Sequence, residues 1–127
     1  MLPAEAQASV LVNLLPPKNA TDTAGATSGW VAIPAAEGCL VVSQIVGAMT
    51  GTLAGTLETS PYANGANNVA MLPDDGANFA DETTDNNTQK KVVNARKNLG
   101  YMKYIGTVTT GPVLLNILVQ YRPKTTT

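Results

Sequence analysis

The chain has 127 residues and a mass of 13.2 kDa, the size of one compact domain able to bury roughly two-thirds of its unfolded surface. Only 13% of its residues are charged, and it has no histidine and a single cysteine, Cys39. Histidine-based catalysis, His-containing zinc sites, intrachain disulfides and thiolate clusters are excluded, and a net charge of −1 lacks the phosphate attraction that nucleic-acid binding needs.

The N-terminus, Met1-Leu2-Pro3-Ala4-Glu5-Ala6-Gln7, shows neither a basic n-region nor a long apolar core. No stretch approaches the ~18 apolar residues of a membrane span, so an unprocessed product of a reducing cytoplasm with no membrane partner is expected. The run Val10-Leu11-Val12-Asn13-Leu14-Leu15 predicts a short strand stopped by Pro16-Pro17. Residues 1–20 thus read as an arm and first strand ahead of a domain over 21–127. No clear turn binds this apolar arm back, which makes it a candidate for packing on a neighbouring subunit.

Trp30-Val31-Ala32-Ile33, ended by Pro34, predicts a strand with Trp30 packed between sheets. Residues 39–46 are apolar on both faces and read as a central strand, with Cys39 an inert buried thiol. Over 52–59, Leu53, Gly55, Leu57 and Thr59 alternate with Thr52, Ala54, Thr56 and Glu58, the pattern of a half-buried strand. A long loop at about 60–87, rich in Asn, is shortened by a strand within Asn68-Val69-Ala70-Met71-Leu72. For residues 88–100, alternation of Lys91, Val93 and Ala95 favours a strand over the helical stripe Val92, Ala95 and Leu99.

The last two runs alternate most clearly: Met102, Tyr104, Gly106 and Val108, then Val113, Leu115, Ile117, Val119 and Tyr121. The linker Thr109-Thr110-Gly111-Pro112 carries turn chemistry and predicts a hairpin between them. Seven or eight short strands separated by Gly, Pro and Asn clusters give an all-β fold, an antiparallel β-sandwich or jelly-roll-like arrangement in a single domain.

Five of the nine acids, Asp74, Asp75, Asp81, Glu82 and Asp85, fall within twelve residues, and five of the eight cations, Lys90, Lys91, Arg96, Lys97 and Lys103, follow within fourteen. The acids lack EF-hand spacing and its terminal Glu, and no aromatics surround them to hold a sugar for glycosidase chemistry. The two blocks read either as solvated faces or as a surface dipole for docking. Gly47, Gly51 and Gly55 lack the Lys-Ser/Thr pair of a phosphate loop and read as turns and tight strand packing. No catalytic, cofactor-binding or metal residue is assigned. The candidate capsid or subunit contacts are Val10, Leu11, Val12, Leu14 and Leu15 in the arm and Lys90, Lys91, Arg96 and Lys97 in the basic cluster.

Three stretches resemble the head-decoration, or cement, proteins of tailed phages: Thr27-Ser28-Gly29-Trp30-Val31-Ala32-Ile33, Val46-Gly47-Ala48-Met49-Thr50-Gly51-Thr52-Leu53 through Ser60, and Tyr101-Met102-Lys103-Tyr104-Ile105-Gly106-Thr107-Val108. An Asp75-Gly76 step lies between the second and third. The resemblance implies a non-enzymatic protein in many copies on the outside of an icosahedral head. Its partner would be the major capsid protein, with self-association as a homotrimer or between neighbouring copies, and its location the virion exterior. The alternative is a tail or receptor/glycan-binding module, for which Tyr62 and Phe79 are the aromatic candidates. An enzyme would have to rely on Asp81 and Glu82.

Overall fold

The computed structural model describes residues 9–124. The reading of the leader and the first eight residues of the arm lie outside them, as do residues 125–127. Among the described residues eight strands are formed: β1 (Val10–Ala20), β2 (Val31–Ala32), β3 (Ala36–Met49), β4 (Thr52–Ser60), β5 (Val69–Ala70), β6 (Asn87–Asn94), β7 (Tyr101–Thr109) and β8 (Val113–Pro123), with one 3₁₀ turn at Ala95–Lys97.

They make two four-stranded sheets, β1-β8-β3-β6 (sheet A) and β2-β7-β4-β5 (sheet B). Every pairing is antiparallel. The pairs β1·β8, β2·β7, β3·β6 and β4·β5 each sum to nine, as in one long antiparallel hairpin rolled onto itself and closed by β3·β8 and β4·β7. That is jelly-roll topology, the solution that buries one face of each sheet. The alternation seen in the sequence supplies those faces: Leu53, Gly55, Leu57 and Thr59 point inward from β4. Val113, Leu115, Ile117, Val119 and Tyr121 do so from β8, and Leu40, Val42, Gln44 and Val46 from β3. As expected, residues 39–46 lie in a central strand, flanked by β8 and β6.

The predicted hairpin does not form. β7 and β8 belong to different sheets, and the linker at 109–112, with a cis Gly111–Pro112 bond, carries the chain across the sandwich. β7 instead pairs with β4, Leu53 opposite Val108 and Gly55 opposite Gly106. A run with one apolar face fits either sheet, so local turn chemistry did not decide the partner.

Three further expectations are corrected. Pro16-Pro17 do not end the first strand; they sit in a register shift between Leu15 and Lys18 of an edge strand, where the missing N–H groups are tolerated. A second shift between Asn13 and Leu15 turns two consecutive residues, Leu14 and Leu15, into the core. Cys39 is exposed, because Leu40 points inward and alternation sends its neighbour out. Trp30 is half-buried beside sheet B rather than between the sheets: Lys103 Nζ lies 5.5 Å from its ring centroid, and Gly65, at φ +81, packs against its indole nitrogen where a Cβ would not fit.

Candidate functional site: interaction surfaces

The acidic and basic blocks meet within the chain. Asp75 pairs with Lys91 at 2.6 Å and Asp74 with Lys97 at 3.3 Å, while Lys97 also donates to the Leu72 carbonyl at 2.7 Å. Asp74 accepts the Asn94 amide at 2.8 Å, and the Gln89 side chain bonds both the amide and the carbonyl of Ala80 at 2.9 Å. The loop after Leu72 is therefore a strap along the outer edge of β6. Lys91 holds the Asp75 carboxyl below its ordinary value of 3.8.

Glu82 is buried and bridges to β4, exchanging backbone bonds with Leu53. Burial alone would raise its carboxyl, but hydrogen bonds from Gln89, Asn87 and the backbone of Thr84 and Thr83 outweigh it and hold the group below 4.5. A buried carboxylate so fully bonded is a structural anchor; Asp81 beside it is exposed. Among the described residues no three carboxylates or thiols converge as a metal site would require.

The predicted contact residues separate. Leu14 and Leu15 are core residues of their own sandwich and are unavailable to a partner in this fold. Val12 is half-buried, whereas Val10 and Leu11 are exposed, Leu11 by 62%. The basic cluster is not one patch: Lys91 and Lys97 close the strap, Lys90 projects from the outer face of sheet A, and Arg96 lines a cleft of about 630 Å³ with Glu37, Asn94, Asn98 and Lys124. For the glycan reading, Phe79 is buried edge-on against Tyr104, which leaves only Tyr62 exposed, in its own loop beside Asn64.

The outer face of sheet A brings two of the predicted contacts, Leu11 and Lys90, together with residues not chosen from the sequence. Register places Leu11, Gln120, Val41 and Val92 in one row, and Asn13, Leu118, Ser43 and Lys90 in the next. Ile45 and Leu114 continue it and, with Pro17 and Gly47, line an apolar depression of about 180 Å³. Leu11, Val92 and Leu114 are all more than 40% exposed. No carboxylate occurs in β1, β6 or β8, and Glu37 sits only at the rim. The signal was present as the second, outward set of alternating residues on β8, Leu114 and Leu118 among Asn116, Gln120 and Arg122.

No protein-family model, curated protein or solved structure matches the chain. Among the described residues no helix is long and apolar enough to cross a membrane.

Proposed function

We propose that this chain is a non-enzymatic structural protein of a virus particle, a decoration or cement protein that binds the outside of an icosahedral phage head and stabilises it. The observation that carries this reading is the outer face of sheet A: a sheet-wide, weakly polar surface with Leu11, Val41, Ile45, Val92, Leu114 and Leu118 among amides. Its cation Lys90 has no carboxylate beside it on the sheet. Such a face suits broad, shallow contact with a protein shell, where copies on a symmetric lattice turn weak contacts into firm attachment.

The strand motifs that resemble cement proteins support the same role. Two of them form adjacent strands, β4 and β7, which pack Gly55 and Gly106 side by side. A rigid jelly roll with its acidic loop strapped to its own β6 meets the mechanical demand of such a role. Binding of the purified chain to assembled heads, measured by co-sedimentation, tests the reading: saturable binding to heads and none to free capsid subunits is expected. A second reading, a tail module that binds glycans, rests on the exposed Tyr62; loss of saturable glycan binding on Tyr62→Ala would favour it instead.

A further inference from the structure

A two-sheet sandwich has four outer strand edges, each presenting backbone N–H and C=O groups that can recruit another strand. The β6 edge is covered, and the two edges of sheet B are two-residue strands, β2 and β5, beyond which loops take the bonds of β7 and β4. The β6 edge carries the acidic strap, with the Asp74 amide donating to the Val92 carbonyl at 2.9 Å. Beyond the two-residue β2, the β7 edge is taken by residues 23–28. Ser28 N donates to the Tyr104 carbonyl and Tyr104 N to Ser28 Oγ, both at 2.8 Å, and Val108 N donates to Thr23 Oγ1 at 3.0 Å. Beyond the two-residue β5, the β4 edge bonds Met71 and Glu82 through Leu57 and Leu53.

The fourth edge is β1, and it is divided. Its second half is blunted by Pro16 and Pro17, which have no N–H, by the bulge they occupy and by Lys18. Its first half, residues 10–13, pairs with β8 on one side, and among the described residues no strand pairs with the other. This segment is Val-Leu-Val-Asn, uncharged, with Val10 exposed by 37% and Leu11 by 62%.

We propose that residues 10–13 of β1 dock a second copy of this chain by antiparallel pairing, β1 against β1, about a two-fold axis. With one uncovered edge longer than two residues among the described residues, edge pairing between copies uses the same edge on both, and such an isologous contact closes as a dimer rather than growing into a fibre. An axis perpendicular to sheet A keeps both outer faces on one side, and placed at Leu11 it sets Leu11 against Leu11 of the other copy. The segment suits itself as a partner, since it brings no like charges together. The contact is short because the prolines stop it, so association depends on concentration. This inference does not rest on the virion role.

Sedimentation equilibrium of the full chain tests it, with Leu11→Lys and Leu11→Glu as variants. Leu11 is exposed enough for both to fold, which equal thermal midpoints verify. The expected result is a mass rising from monomer to dimer with concentration in the parent chain, monomer for each variant alone, and dimer again in an equimolar mixture of the two. Amides of residues 10–13 also exchange more slowly in the concentrated parent chain. A parent chain that stays monomeric to about 1 mM, a trimer, a dimer that survives Leu11→Lys, or a mixture that stays monomeric overturns the proposal. So does a monomeric chain whose Leu11→Lys variant loses binding to heads, which would assign the edge to a strand of the particle.

Discussion

The Tyr104 hydroxyl donates to Gln44 Oε1 at 2.6 Å, joining β7 of one sheet to β3 of the other inside the core. Both residues are fully buried, and burial raises the Tyr104 pKa far above its ordinary value, so the phenol remains a neutral donor. Gly55 makes the pair possible: a Cβ there would overlap Gln44 Oε1 and lie 2.6 Å from the Tyr104 oxygen. Gln44 Nε2 finds no hydrogen-bond partner among the described residues, so the Tyr104 bond satisfies only the oxygen of the amide.

Removing the phenol oxygen leaves the Gln44 amide buried with no partner. Tyr104→Phe is expected to cost about 1–3 kcal/mol in urea unfolding, and Tyr104→Phe with Gln44→Leu to recover much of that, because two apolar groups leave nothing unsatisfied. Gly55→Ala is expected to destabilise by about 1–3 kcal/mol through overpacking. Additive losses in the Tyr104–Gln44 double variant would show that the two side chains are not coupled.

Glu82 makes stability depend on acid. Its carboxyl is held below 4.5 in the folded chain, so the unfolded chain binds the proton first as pH falls. Stability contributed by the carboxylate is therefore present above about pH 4.5 and is lost as pH drops through the lower, folded value. Urea midpoints measured from pH 6 to pH 3 are expected to fall less steeply in Glu82→Gln than in the parent chain. Parallel curves would remove Glu82 from the account.

The strap depends more on Asp74 than on Asp75. Asp74 accepts a backbone amide of β6 as well as pairing with Lys97, whereas Asp75 pairs with Lys91 from an exposed position. Asp74→Ala is expected to cost about 1 kcal/mol and to speed hydrogen exchange at the Asn94 amide. Asp75→Asn is expected to leave the unfolding midpoint unchanged at 0.5 M salt, where exposed pairs are screened.

Cys39 faces solvent at the start of the paired part of β3. A thiol reagent is expected to modify one cysteine per native chain, with no lag for unfolding. Modification only in denaturant would contradict the outward register of Cys39.

Alternation made the inward faces of β4, β7 and β8 readable from the sequence, because side-chain direction has period two and a half-buried strand must separate its two sets. Sheet membership was not readable. Val108 and Val113 flank a linker with turn chemistry, yet their partners are Leu53 and the pair Ala20 and Met49, far away in the chain. Cys39 was misread because residues 39–46 are apolar on both faces, leaving no contrast to set direction. Residues 10–15 read as an arm for a neighbouring subunit, but not as the start of a long edge strand: Pro16-Pro17 mark a stop in a central strand but a bulge in an edge strand, and only topology distinguishes them. The outward row of Leu11, Val41 and Val92 is assembled by register from three strands, and the local trace of this face is the outward set of β8, Leu114 and Leu118.

The central proposal, that this jelly roll coats a phage head, is tested most directly by its copy number relative to the major capsid subunit in purified phage particles, by quantitative mass spectrometry. The account predicts a ratio near one per capsid subunit or near one-third. A handful of copies per particle would move the protein to the tail, and its absence from particles would contradict the virion role altogether.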